Sequence, residues 1–180
     1  MKNKKNIFIL ILVPLFFLGL YFSTNLVLAI PEKGYYPITR TSFETIQNRN
    51  NDLTFKVENV DYNEDIRQTV EIKGYAYFVP ASSEVSDKRI SLLLSSANNA
   101  YIVDTDLTDR LDLRSQLSQS KVIGFRHGFR TTFSPLGMSN GVYELYIYCY
   151  ENEENFGYIK TDKVFIKQYS EFVEQGSVLP

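Results

Sequence analysis

The chain has 180 residues, of which 44% are hydrophobic and 22% charged, with a formal net charge of −2. That length accommodates one domain plus an anchor or linker, and the charge balance gives no reason to expect nucleic acid as a partner. Tyr and Phe number 13 each, which favours strands, and the single Cys excludes an intrachain disulfide.

The chain opens with Lys2, Lys4 and Lys5 and carries no acid before residue 31. Taking these three from the 19 basic residues leaves 16 against 21 acidic ones, a mildly acidic surface for residues 31–180. After the lysines an apolar run extends from Ile7 to Leu20 and, past Ser23-Thr24-Asn25, on to Ile30. A basic start before such a run directs insertion with the N-terminus left in the cytoplasm. Residues 7–30 are long enough for about 30 Å of hydrocarbon, and Pro14 is tolerated in a membrane helix. Two outcomes are open: a retained transmembrane anchor, which we take first, or a signal peptide cut after Val27-Leu28-Ala29. Both place residues 31–180 outside the cytoplasm. No cysteine stands close after the run, so a lipoprotein anchor is excluded.

Residues 31–52 read as a polar linker. Pro31, Gly34 and Pro37 break any helix, and Asn48, Asn50 and Asn51 cluster. A short helix over Ser42–Asn48 is compatible with the sequence.

Strand patterns then succeed one another. Leu53–Val60 alternates apolar and polar residues. Ile66–Phe78 places Ile66, Val70, Ile72, Ala76 and Phe78 on one parity and Tyr75 and Tyr77 on the other. Gly74 in its middle predicts a bulge or a close backbone approach. Arg89–Ser95 and Ala100–Thr105 flank a turn at Asn98-Asn99. Asp106–Ser120 has no single period and reads as a long crossing loop. The stretch Lys121–Tyr150 reads as a hairpin-like pair of strands turning at Asn140-Gly141. In its second strand Tyr143, Leu145, Ile147 and Cys149 oppose Tyr146, Tyr148 and Tyr150. Phe156–Thr161 and Val164–Tyr169 complete the domain, and residues 170–180 read as a tail.

About seven or eight strands spaced by turns at residues 53–169 predict an all-β fold, an antiparallel Ig-like β-sandwich preceded by an N-terminal transmembrane or signal helix. A small closed barrel is the alternative.

Three groups are candidates for function. Tyr75, Tyr77, Tyr146, Tyr148 and Tyr150 form an aromatic strip if their strands are neighbours, and such a strip stacks on sugars or buries against a protein. Equally, tyrosine is a favoured surface residue of strands and covers the second face. Arg110, Asp112 and Arg114, with Asp104, Asp106 and Asp109 before them, offer a polar patch for a charged or sugar ligand. They serve equally as ion pairs fixing the crossing loop. The aspartates lack the glycine turn and closing Glu of an EF-hand loop. His127, the sole histidine, has no nucleophile motif with it and is expected to be solvated. Glu151, Glu153 and Glu154 read as a solvated acidic loop. Neither a catalytic set, a metal set nor a cofactor motif is expected.

The segments IKGYAYF at Ile72–Phe78, YIVDT at Tyr101–Thr105, RLDL at Arg110–Leu113, GFR at Gly128–Arg130 and NGVYELYIY at Asn140–Tyr148 resemble small β-sandwich (Ig-like) ectodomains of Gram-positive cell-envelope proteins. The resemblance spans about residues 70–165. It implies company with cell-surface polysaccharide machinery and matches Arg110 and Asp112 to motif positions. The expected function is a membrane-tethered extracytoplasmic binding module for envelope glycan or a surface protein, without enzymatic activity. The alternative is an accessory subunit of a membrane complex that acts through its anchor helix and ectodomain.

Overall fold

The computed structural model describes residues 35–46, 52–63, 68–78, 87–113 and 126–176. The expected anchor at residues 1–30, and Arg114, lie outside the described residues. Among the described residues no helix is long and apolar enough to cross a membrane.

Ten strands are described: β1 (Thr39–Thr41), β2 (Leu53–Asn63), β3 (Thr69–Phe78), β4 (Arg89–Ser95), β5 (Ala100–Asp104), β6 (Asp106–Thr108), β7 (Gly128–Phe133), β8 (Gly141–Tyr150), β9 (Phe156–Gln168) and β10 (Glu171–Glu174). They make two antiparallel sheets, in the orders β2-β3-β7-β6 and β1-β5-β4-β8-β9-β10. The fold is therefore an all-β sandwich. The chain changes sheet between β1 and β2, between β3 and β4, between β5 and β6, and between β7 and β8.

The period-2 alternation read from the sequence sets the layers. Val70, Ile72, Ala76 and Phe78 of β3 share one core with Ile90, Leu92 and Leu94 of β4 and with Tyr143, Leu145, Ile147 and Cys149 of β8. Each large apolar side chain buried there contributes about 1.5–3 kcal/mol. Thr131 of β7 is fully buried, and its hydroxyl donates to the Asp104 carbonyl at 2.7 Å, joining one sheet to the other. At the foot of β8 the Tyr143 hydroxyl donates to the Ser139 carbonyl at 2.8 Å.

Gly74 meets the expectation placed on it. The pairing of β2 with β3 slips between Val57 and Asn59, opposite Gly74, so Glu58 is the extra, bulged residue. A side-chain carbon on Gly74 would overlap the Lys56 carbonyl oxygen and lie 2.7 Å from the Phe129 ring.

Five expectations are corrected. Asp106–Thr108, read as the start of a long loop, is the strand β6 and pairs with β7. Lys121–Tyr150 is not a hairpin: β7 pairs with β3 and β6, while β8 pairs with β4 and β9. The passage through Pro135–Gly137 changes sheet, and Asn140 instead accepts from the Tyr169 amide at 2.8 Å. Phe156–Thr161 and Val164–Tyr169 are one strand, β9, whose pairing with β8 slips between Glu144 and Tyr146. Within residues 31–52, β1 pairs with β5, and Phe43 packs on Tyr146 and Tyr158 at 4.9 Å each. Within residues 170–180, β10 pairs with β9, and buried Phe172 stacks on Phe165 at 4.9 Å. Apolar contact overrides the local polarity of both segments.

Candidate functional site

The tyrosines of β3 and β8 do not form one strip. Tyr75 and Tyr77 lie on β3 in one sheet, Tyr146 and Tyr148 on β8 in the other. On each strand the opposite parity fills the shared core, so the two pairs lie on the other faces of different sheets, where Tyr77 is nonetheless buried at 6% exposure. Tyr75 and Tyr77 stack on each other at 6.1 Å and gather with Leu113 in a small satellite cluster.

Tyr146 and Tyr148 have other company. Register places Tyr148 between Ser91 of β4 and Tyr158 of β9, and Tyr150 between Arg89 and Phe156. Tyr146, Tyr148, Tyr150, Phe156 and Tyr158, all half-buried, thus make a continuous aromatic outer face on β8 and β9. Tyr146 meets Tyr158 edge-on at 5.9 Å, and Tyr150 lies 6.3 Å from Phe156. Phe43 covers the Tyr146 end of this face. The rim is polar: Lys160 pairs with Glu144, which also accepts from the Tyr146 hydroxyl at 2.8 Å. Burial, then the Glu144 carboxylate, pushes the Tyr146 hydroxyl up to about 12. Burial likewise raises Tyr148. Tyr146 and Tyr148 therefore stay neutral, with apolar ring faces and hydrogen-bonding tips.

Arg110 is committed elsewhere. Its guanidinium donates to Asp112 through Nε at 2.8 Å and Nη2 at 2.6 Å, and to Glu58 through Nη1 at 2.7 Å and Nη2 at 3.0 Å. It also lies over the Tyr75 ring at 4.9 Å. The Asp112 bond raises the Arg110 pKa, and the same bond holds the Asp112 carboxyl at about 2. The Glu58 bulge, the Tyr75 ring and the turn at Leu111–Leu113 are fastened together. These ion pairs join Glu58 of β2 to the turn at Leu111–Leu113.

A third cluster was not expected from the sequence. Lys88, His127 and Glu151 are 7%, 2% and 3% exposed, so the solvated readings of His127 and Glu151 are corrected. Glu153 and Glu154 are exposed as expected. The Lys88 ammonium meets the Ala76 carbonyl at 2.9 Å, His127 Nδ1 at 2.9 Å and Glu151 Oε1 at 2.8 Å. An ammonium has three protons, and these are its three acceptors. The bonds tie the entry to β4, the last turn of β3, the entry to β7 and the exit from β8. A signal for this cluster was in the sequence. Lys88, His127 and Glu151 each continue, by one step of two, the inward parity of Ile90, Phe129 and Cys149. Cys149 beside them is inert: burial pushes its thiol up to about 12, with Glu151 adding and Lys88 opposing.

No family model matches the chain, and neither the curated proteins nor the solved structures contain a match.

Proposed function

We propose that this chain is a membrane-tethered, extracytoplasmic binding module with an Ig-like sandwich, taking cell-envelope glycan on the aromatic outer face of β8 and β9. The observation that carries the reading is the row Tyr148, Tyr150, Phe156 and Tyr158, aligned by strand register and half-open on one sheet. Flat aromatic rings with a polar rim suit the alternating apolar and hydroxyl faces of sugars. The tether rests on Lys2, Lys4, Lys5 and the apolar run beyond them.

The Ig-like reading has its own support. The orders β2-β3-β7-β6 and β5-β4-β8-β9 are those of the four-stranded and augmented sheets of that fold. Tyr143, at the start of β8, reaches back to the carbonyl of Ser139, as the tyrosine corner of such domains does. Leu145 then takes the place two residues on where a disulfide cysteine stands in antibody domains. Because a fold alone does not give a function, the aromatic face and not the strand order carries the proposal.

The test is retention of the full-length chain, in detergent micelles, on immobilised envelope polysaccharide. Retention that survives exchange of residues 7–30 for an unrelated apolar helix supports the module. Retention lost on that exchange supports an accessory subunit acting through its anchor, and capture of a surface protein in place of polysaccharide shifts the ligand class.

A further inference from the structure

The Lys88 cluster is independent of the aromatic face. An ammonium offers only protons, so His127 Nδ1, 2.9 Å from Lys88 Nζ, is an acceptor. The imidazole is therefore neutral, with its proton on Nε2. The His127 backbone is fixed as well, its carbonyl accepting from the Ala76 amide at 2.9 Å. Tyr77 packs against the ring at 5.4 Å between centroids.

We propose that His127 makes this cluster a proton-sensitive latch on the end of the sandwich where β3, β4, β7 and β8 meet. Protonation turns Nδ1 from acceptor to donor and sets a second positive charge against the Lys88 ammonium. Both cannot occupy the same buried place, so the Lys88 contact breaks, and with it the bond holding Glu151 at the β8–β9 turn. The other titratable groups, Tyr77 on the ring and Cys149 beside Lys88 and Glu151, do not share the task. Tyr77 is raised by burial and Cys149 stands at about 12, so both stay protonated throughout. Lys88 supplies the positive charge that the imidazole's proton opposes, and Glu151 the carboxylate that Lys88 holds.

The sign is set by linkage. In the opened state His127 takes a proton near its ordinary value of about 6.5, which the closed latch refuses. Closure is therefore favoured above that pH and is lost as pH falls below it. One proton corresponds to about a tenfold rise in the opening constant per pH unit.

Amide exchange of the full-length chain in micelles, at about pH 7.5 and about pH 5.5 and corrected for intrinsic rates, tests this. The expected result is a loss of protection confined to residues 87–90, 126–130 and 149–156, with the β9–β10 pairing unchanged. In His127→Asn the amide oxygen replaces Nδ1 as acceptor without titrating, and that loss should vanish. Equal protection of the native chain at both pH values overturns the proposal, as does a uniform loss across all strands or an undiminished pH effect in His127→Asn. If that variant fails to fold, the native comparison still decides.

Discussion

Glu58 is the bulged residue of β2, and its carboxylate meets the two terminal nitrogens of Arg110 at 2.7 and 3.0 Å. The bulge turns the Glu58 side chain toward the crossing loop, where Asp112 completes the fork. Arg110→Lys keeps the charge but loses the planar fork and should cost about 1–2 kcal/mol in urea unfolding. Asp112 titrates at about 2 because of Arg110. A carboxyl lowered in the folded state contributes stability above its unfolded value of about 3.9. That contribution is lost as pH falls toward about 2. An NMR titration of Asp112 should return to the ordinary carboxylate range in Arg110→Met.

Gly74 and Gly128 are both tight, but unequally so. At Gly74 an added carbon overlaps a backbone oxygen and meets a buried ring; at Gly128 its nearest atoms are the Thr108 hydroxyl and the Arg110 stem, with the Thr108 carbonyl oxygen farther out at 3.0 Å. Side chains give way more readily than backbone. Gly74→Ala should cost about 2–3 kcal/mol and Gly128→Ala about 1 kcal/mol, read as a difference in denaturant midpoint.

Phe172 binds β10 to the core. It stacks on Phe165 at 4.9 Å and meets Phe133 edge-on at 6.1 Å. Phe172→Ala should cost about 3–5 kcal/mol in the same unfolding measurement. A chain stopped after Tyr169 should show the same loss.

Lys88 and Glu151 should behave as a unit. Lys88→Met strands a buried carboxylate and should cost about 3–5 kcal/mol. Changing both residues to Met should recover most of that loss, because neither charge is then left buried alone. Additive losses in a double-mutant cycle would contradict the pairing.

Local features were legible in the sequence, and distant pairings were not. Alternation fixed the faces of β3 and β8, and Gly74 announced its bulge, since both are local. Asn140-Gly141 misled because the dipeptide favours a hairpin locally, while the strands on either side find partners in different sheets. The parity of the tyrosine pairs was legible, but the burial of Tyr77 against Leu113 and the sheet each pair occupies depend on pairings far apart along the chain. The Lys88 cluster joins positions 39 and 63 residues apart, beyond any local period. It was reachable only by carrying each strand's parity one step past its apolar run. Phe43 and Phe172 sit in polar surroundings that conceal their packing.

The most direct measurement is equilibrium binding of the full-length chain in micelles to purified envelope polysaccharide, comparing Tyr148→Ala and Tyr150→Ala with Tyr75→Ala. The account predicts about tenfold weaker binding for each of the first two, the loss of roughly one stacked ring, and unchanged binding for Tyr75→Ala. Equal binding by all three, or loss only in Tyr75→Ala, would contradict it.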